Sequence, residues 1–509
     1  MLSFARLLLV CLLSLCSLGY LDQARAATIK IAYRSKGAEL DLLKKAIDEW
    51  TKKHRGKHKV EIIILPHSSN ECFALYQQWF SAESFDIDVL QMDVVWIGTF
   101  KDCLTPLDEK DLEFSNYFDA VSGCMFYDGQ LLALPLYVDC GVMYYRKDLL
   151  EKYGKLVPKT WEELLETALY IQNEERKDPV KKNKFYGFVF QAKAFEILTC
   201  VFAEMIDSFG GAIIKNGRIM VNSQQSINCV KFLINCLQNI SSRSVLNYSE
   251  EDARGVFQSG NAVFMRNWPY AWALLNSSEV VAGKVGVMPI PPGTKEGKFS
   301  GVLGGWFLAL SKYSKHSEIA ADLIKFLTSK EQQKIRARHS YLPTFKTLYS
   351  DPDVLKNNDF FREVYPSLQN AVRRPSVEFG KNYNRASTEI FNTVNTILAE
   401  SSEVEKYLDR LQKKLQKLLK KTEAHATNDN PKDELYKLQM DLQNMQKLRG
   451  LLKKNTTIAE SSDPEAKKDD NFNEKKENGW LSGICDKLTI IWKSIWSGNE
   501  AKISNKENS

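Results

Sequence analysis

Four short segments of the chain combine aromatic rings with polar or flexible residues. Aromatic faces stack on the apolar faces of a pyranose ring, whereas carboxylates, amides and guanidinium groups satisfy its hydroxyls. A single tryptophan is more often part of a core than of a ligand site, but four such segments favour a carbohydrate-binding cleft. The segments are AspValValTrp at 93–96, LeuTyrValAsp at 136–139, AsnTrpProTyrAlaTrp at 267–272 and GlyGlyTrp at 304–306.

An enzyme is the competing class, and its motifs are missing from the sequence. The chain has no HExxH, GxSxG, GxGxxG or P-loop pattern. Asp86, Asp88 and Asp93 could supply a glycosidase pair, but acids beside a strand are more often caps or hydrogen-bond acceptors. The cysteines have neither CxxC pairs nor zinc spacing, so we expect no metal site, no cofactor and no catalytic residues.

Residues 1–26 have the pattern of a cleavable signal peptide. Arg6 precedes the apolar run from Leu7 to Leu18, and Ala24-Arg25-Ala26 supplies a small-x-small cleavage site. The run is too short to cross a bilayer of ~30 Å comfortably. We therefore predict an exported, periplasmic protein. In that oxidising compartment its cysteines could form disulfides or remain as buried apolar thiols.

Length and charge limit the remaining classes. The 509 residues exceed the ~100 to 200 of one domain, so two or three units are expected. The net charge of +6 is small for this length and argues against a nucleic-acid partner.

The elements that would position these groups have an α/β pattern. Residues 28–33 read as a strand, 39–50 as an amphipathic helix, 60–66 as a strand, the segment through Tyr76 and Phe80 as a helix, and 86–92 as a strand. This order predicts parallel strands with helices packed outside. Two further strands are expected on either side of Asp139, followed by a helix capped by Thr160.

The character of the chain changes near residue 400. Residues 400–454 carry a heptad seam, which predicts an antiparallel helical hairpin or two coiled-coil strands that await partners. Residues 455–478 are charged and predicted to be disordered. Residues 479–497 form an amphipathic segment that either docks on the body or anchors at a membrane surface. The seam residues are Val404, Leu408, Leu411, Leu415 and Leu418, then Leu435, Leu438, Leu442, Met445 and Leu452.

From about Thr28 to Leu398 the chain resembles the extracellular solute-binding proteins of the maltose-binding class, which serve ABC sugar importers, and most closely the trehalose/maltose-binding proteins. The resemblance rests on collinear phrases around Asp93, Asp139, Trp161, Trp268 and Trp306. They are MetAspValValTrpIleGlyThrPhe, LeuProLeuTyrValAspCysGlyValMetTyrTyrArgLysAsp, ProLysThrTrpGluGluLeu, PheMetArgAsnTrpProTyrAla and GlyGlyTrpPheLeuAlaLeuSerLys.

The resemblance implies an α/β fold of two lobes with a hinge and a ligand cleft. The solute-binding domain would span 27–398, with a first lobe of 27–137 and 285–340 and a second of 140–284 and 341–398. Its partners would be a sugar such as trehalose or maltose and the membrane subunits of an ABC permease. The alternative is a scaffold or tether that acts through its C-terminal hairpin and tail on a membrane surface or a protein.

The matching phrases also imply the ligand-binding residues. The acids would accept hydroxyl hydrogens, Arg374 would donate in a fork, and Trp268 and Trp306 would supply stacking faces. Other readings are that Asp93 caps a helix, that Tyr137 is core and that Arg374 pairs with a surface acid. Where the family tends to carry a ligand-binding arginine, this chain has Cys72. The implied residues are Glu39, Asp93, Tyr137, Asp139, Trp268, Tyr270, Gly305, Trp306 and Arg374.

Overall fold

The computed structural model describes residues 26–34, 37–66, 68–110, 112–293, 298–356 and 358–426. Nearly all of the predicted signal peptide, the second half of the predicted hairpin, the linker 455–478 and the amphipathic segment 479–497 lie outside the described residues.

The strands are β1 (Thr28–Tyr33), β2 (Lys59–Ile64), β3 (Val89–Asp93), β4 (Leu104–Thr105), β5 (Phe126–Tyr127), β6 (Gln130–Leu131), β7 (Ala133–Cys140), β8 (Val142–Arg146), β9 (Tyr186–Val189), β10 (Ile214–Lys215), β11 (Arg218–Ile219), β12 (Ala262–Asn267), β13 (Val285–Pro289) and β14 (Leu303–Ser311).

The helices are α1 (Ala38–Lys53), α2 (Ser69–Ser81), α3 (Ile97–Phe100), α4 (Asp119–Ser122), α5 (Lys147–Lys152), α6 (Trp161–Glu175), α7 (Glu196–Ser208), α8 (Gln224–Asn239), α9 (Glu250–Gln258), α10 (Ala271–Asn276), α11 (Ser317–Leu327), α12 (Lys330–Ala337), α13 (Pro352–Leu355), α14 (Phe361–Gln369), α15 (Ser376–Phe379), α16 (Tyr383–Glu400) and α17 (Val404–Ala426).

The first sheet has the strand order β2-β1-β3-β14-β4, with β7 also paired to β14. β1 is parallel to β2 and β3, because α1 and α2 carry the chain back across the sheet between them. β14 is antiparallel to β3 and β7 and enters the sheet from much later in the sequence. The mixed α/β class expected from the sequence is confirmed.

The second sheet has the order β13-β8-β12-β9, with β8 antiparallel to both of its neighbours. Placing Val285–Pro289 in the first lobe is wrong, because β13 pairs along its length with β8 of the second sheet. Assigning the whole of 341–398 to the second lobe also fails. Phe345 forms a bridge with Tyr117, and Leu342 forms one with Val138.

The chain passes from the first sheet to the second with a single residue between strands. β7 ends at Cys140 and β8 begins at Val142, so Asp139 lies inside β7 rather than in a gap between two strands. A Cβ on the intervening Gly141 would lie 1.8 Å from Oε2 of Glu204, so this position excludes any larger residue unless Glu204 moves.

The structure tests two local predictions, the helix cap at Thr160 and the state of the cysteines. Oγ1 of Thr160 accepts a hydrogen bond from the amide of Glu163 at 3.2 Å, so the predicted cap of α6 is confirmed. The cysteines of the described ranges are free thiols, and all of them except Cys103 are buried. Within the same ranges, no helix combines the length and the apolar character needed to span a membrane.

Helix α17 carries the first half of the predicted heptad seam. Its seam residues, from Val404 to Leu418, are buried in the same core as the sheets. Ion pairs of 2.6 Å join Glu405 to Lys231 of α8 and Lys414 to Glu389 of α16. The body's own helices therefore cover this half of the seam.

Candidate functional site

Three strands of the first sheet bring most of the expected ligand-binding residues together. We call β3, β7 and β14 the strand crossing. The register places Trp306 opposite both Asp93 of β3 and Tyr137 of β7, while Gly304 lies opposite Asp139. Residues from three distant parts of the sequence therefore meet at one edge of the sheet, where the chain leaves for the second sheet.

The backbone of β14 is irregular at the centre of the crossing. Gly305 has φ = 123°, and a Cβ there would lie 2.6 Å from the carbonyl oxygen of Tyr137. The register between β14 and β7 shifts between Trp306 and Phe307. Irregularities of this kind re-aim a side chain. Gly305 therefore acts through its backbone, which sets the direction of Trp306.

Trp306 is 8% exposed and contacts two other groups of the first sheet. Its ring lies edge-on to Trp96 at a centroid distance of 5.6 Å. The guanidinium carbon of Arg34 lies 4.8 Å from its ring centroid. The ring is therefore held in place on one side by an aromatic and on another by a cation.

Trp268 reaches the crossing from the second sheet. It follows β12 directly, and its ring atoms would lie 3.2–3.3 Å from a Cβ placed on Gly304. The guanidinium of Arg266 lies 4.2 Å from its ring centroid. Nδ2 of the preceding Asn267 donates to the backbone carbonyl of Glu250 at 3.1 Å, and burial raises the pKa of the Glu250 carboxyl. The second sheet and its helix α9 thus place one ring and one carboxyl beside β14.

A buried ion pair lies against the ring of Trp268. Nη2 of Arg266 donates to Oε2 of Glu204 at 2.9 Å, and both side chains are fully buried. The same oxygen accepts from the amide of Val302 at 3.2 Å, on the strand connection that leads into β14. The position of Trp268 is therefore coupled to the backbone that enters the crossing.

Arg374 joins the two halves of the site. Its guanidinium is buried and donates to Asp93 at 3.0 Å and to Glu196 of α7 at 2.7 Å. Glu196 also accepts from Oγ of Ser387 at 2.6 Å and from the hydroxyl of Tyr383. Pairing of Arg374 with a surface acid is therefore wrong, since both carboxylates are largely buried. Asp93 also accepts from the amide of Val95 at 3.2 Å, which is a turn contact.

Three acidic groups share the space beside β7. Oε1 of Glu39 accepts a hydrogen bond from Tyr33 at 2.9 Å. Burial, followed by the negative charges of Glu39 and Asp93, raises the pKa of Asp139 to about 8. Acids that are packed in this way favour a ligand that brings hydrogen-bond donors. Tyr137 is also buried here, with its ring 5.3 Å from that of Tyr341.

Tyr270 stands apart from this cluster. Its hydroxyl donates to Oε1 of Glu251 on α9 at 2.6 Å. Its direct partner is therefore on α9, next to Glu250, and not among the acids beside β7.

Arg34 is the most informative residue that the motifs did not indicate. Its charge acts on the carboxyls of Asp139 and Glu250 and on the thiol of Cys72. Arg34 therefore brings a guanidinium close to Cys72, which stands where the family tends to carry a ligand-binding arginine. Arg34 follows the carboxyl end of β1, and ligands of open α/β sheets bind at such ends. That rule could have found it.

Residues 45–362 match the family model described as bacterial extracellular solute-binding protein. The chain belongs to this family. A probable ABC transporter-binding protein of Deinococcus radiodurans is 41% identical over 388 residues, which cover 75% of this chain and 91% of that protein. The resemblance to solute-binding proteins of ABC sugar importers is confirmed.

Solved structures agree on the fold. The maltose-bound MalE3 of T. maritima is 37% identical, has a TM-score of 0.70, and covers 77% of this chain and 100% of its own. The GacH receptor of Streptomyces glaucescens, solved without ligand and in complex with acarbose, is 22% identical with a TM-score of 0.67, over 78% of this chain and 99% of its own. It supports the fold alone. The family's two-lobed architecture is therefore the fold of this chain.

Proposed function

We propose that this solute-binding protein captures a disaccharide or small oligosaccharide of the trehalose/maltose type at the strand crossing and delivers it to an ABC permease. The observation that carries the proposal is the meeting of two ring–carboxyl pairs from opposite sheets. Trp306 and Asp93 come from the first sheet, whereas Trp268 follows β12 of the second sheet and Glu250 begins α9, which packs on β12. The maltose-bound relative at 37% identity supports this class of ligand.

Each group would have a defined task. Trp268 and Trp306 would stack on the apolar faces of the sugar rings. Glu39 would accept hydrogen bonds from hydroxyls, and Asp139, protonated below about pH 8, would accept through its carbonyl oxygen and donate through its hydroxyl. Arg34 would donate to a sugar oxygen in place of the arginine that is missing near Cys72. A sugar that lacks one of these hydroxyls would leave a buried polar group unpaired and would bind more weakly.

Capture would be coupled to closure of the lobes. Gly141 is the only residue between β7 and β8, and Arg374 bridges Asp93 and Glu196 across the two halves. Movement about a few residues at such a connection is the hinge mechanism of binding proteins that close on a ligand. The permease would then recognise the closed form.

Titration calorimetry of the purified protein against a panel of sugars tests this function. Trehalose, maltose, maltotriose, an arabino-oligosaccharide and mannitol would cover the alternatives. We expect one-to-one binding to at least one disaccharide or oligosaccharide, with weaker binding of mannitol. Failure to bind any sugar would overturn the proposal. Recovery of a hydrolysed product would point to a glycosidase instead.

We also propose that any tethering role of the C-terminal tail is additional to sugar capture. The leucines of α17 are buried in the body, so a cut after Glu400 would damage the core as well as remove the tail. A cut after Ala426 separates the two roles. Sugar affinity should survive this cut, and loss of binding would show that the tail belongs to the receptor's own task.

A further inference from the structure

The outward side of α17 is strongly cationic. Between Val404 and Thr422 the helix has seven lysines and arginines but two acids, Glu405 and Asp409. Its leucines point into the core, so the charges lie on the side that the body does not cover. A solvated helix face usually carries both signs of charge in alternation. This face therefore carries more positive charge than an ordinary solvated helix face.

Ion pairs are more frequent in the first half of the helix than at its end. Lys406 pairs with Glu403, Lys413 with Asp409, and Lys414 with Glu389. Lys417, Lys420 and Lys421 are exposed and form no ion pair with any other residue that the structure describes between 26 and 426. Residues three and four apart share one face of a helix. These three lysines therefore form one cationic patch.

We propose that this patch, Lys417, Lys420 and Lys421, docks the protein on the surface of an anionic lipid bilayer. The family is extracellular and serves membrane importers, and an anionic bilayer surface has the charge that complements an exposed cluster of lysines. A basic patch alone binds lipid weakly and reversibly, so we expect this docking to be reversible.

The patch ends beside residues 379–382, since Oγ1 of Thr422 donates to the carbonyl of Phe379 at 3.1 Å and accepts from Nδ2 of Asn382 at 3.1 Å. The strand crossing is built from other elements, β3, β7 and β14. Association with a membrane would hold the receptor near its permease and raise their effective concentration. This inference does not depend on which sugar binds.

Co-sedimentation of the full-length protein with vesicles tests the inference. One set of vesicles would contain phosphatidylcholine alone, and the other phosphatidylcholine with phosphatidylglycerol. We expect binding to the anionic set that weakens as salt rises, because charge attraction is screened within ~8 Å at physiological ionic strength. The variant Lys417→Glu/Lys420→Glu/Lys421→Glu should lose at least about tenfold in binding to that set.

Lys44→Glu/Lys45→Glu/Lys52→Glu is the matched control, since it makes the same charge change on exposed lysines of α1. Both variants should melt like the parent protein and keep its sugar affinity. An equal loss of binding in the control would overturn the proposal, because net charge alone would then explain it. Equal binding to neutral vesicles would also overturn it. No binding to either set would do so too, and would leave an acidic protein surface as the occupant of the patch.

Discussion

At the scale of single residues, the guanidinium of Arg374 connects the two halves of the site. Arg374 is buried and serves two carboxylates that come from different halves of the protein. A buried ion pair contributes little net stability compared with an apolar replacement, but removal of one member leaves the others charged and unsatisfied. Arg374 is therefore expected to matter more for the order of the site than its contact with a ligand would suggest.

Arg374→Gln should destabilise the protein by about 3 kcal/mol and abolish sugar binding, because Asp93 and Glu196 would remain buried without their cation. Urea denaturation and calorimetry would measure the two effects. Arg373→Gln is the control, since Arg373 is exposed and should change stability by less than about 0.5 kcal/mol. Similar stabilities of the two variants would contradict the role given to Arg374.

The raised pKa of Asp139 has a consequence for stability against pH. The folded protein holds this proton up to about pH 8, whereas the unfolded chain releases it near its usual value of 3.8. The folded state therefore binds more protons between these values, and its contribution to stability falls as pH rises through this window. We expect a loss of about 2 kcal/mol from this group between pH 5 and pH 8, after allowance for its partial exposure.

Denaturation midpoints of Asp139→Asn at several pH values would test this expectation. The variant should lose that part of the pH dependence and gain stability relative to the parent at pH 8. Asp86→Asn, at an exposed position, should keep the parent slope. A parent slope that persists in Asp139→Asn would place the titrating group elsewhere.

The sequence predicted some residues of the candidate site and missed others. Asp93, Asp139, Trp268 and Trp306 stand in phrases that combine rings and polar groups, so local pattern was sufficient to propose them. Arg34 and Glu250 stand in no such phrase. They join the site only because β1, β14 and α9 converge, and pairing over that sequence distance leaves no local signal.

At the scale of elements, the connection from β7 to β8 is closely packed. Gly141 lies against the buried pair of Glu204 and Arg266, with room for neither a methyl group nor a larger side chain. Close approach of a backbone to buried charged groups requires glycine, as a Cβ would force the ion pair apart.

Gly141→Ala should cost about 2 kcal/mol or more of the free energy of unfolding, through overpacking of this pair. Gly255→Ala is the control on helix α9, where a Cβ meets nothing within 4 Å. It should raise stability by about 0.5–1 kcal/mol, because alanine favours a helix over glycine. Urea denaturation compares them, and a neutral Gly141→Ala would show that Glu204 can move aside.

Element prediction succeeded where the information was local. Alternating and helical periodicity predicted β1, α1, β2, α2 and β3, and their parallel pairing followed from the crossover helices. The lobe boundary at residue 285 failed, because the choice of sheet for β13 depends on its pairing with β8 about 140 residues earlier. Periodicity identifies a strand but not its neighbours.

At the scale of the whole molecule, α17 extends the solute-binding body beyond the expected end near residue 398. Leu408, Leu411 and Leu415 are fully buried in the common core. The heptad pattern predicted a helix with an apolar seam, and it could not tell whether a partner helix or the body would cover that seam.

Leu415→Ala should destabilise the protein by about 2–4 kcal/mol, because it opens a cavity in a packed core. Sugar affinity under native conditions should remain near that of the parent, since the strand crossing is built from other elements. Gln416→Ala, at an exposed position on the same helix, is the control and should be almost neutral. Equal effects of the two substitutions would show that α17 is not part of the core in solution.

The central claim is that the strand crossing holds a sugar against Trp306. Calorimetric titration of the parent protein and of Trp306→Ala with the best-binding sugar tests it most directly. Trp79→Ala serves as the control, because Trp79 lies on α2 and its ring contacts that of Tyr76 rather than Trp306. The account predicts one-to-one binding that falls by at least about tenfold in Trp306→Ala and stays within about twofold in Trp79→Ala. Undiminished binding by folded Trp306→Ala would contradict the claim.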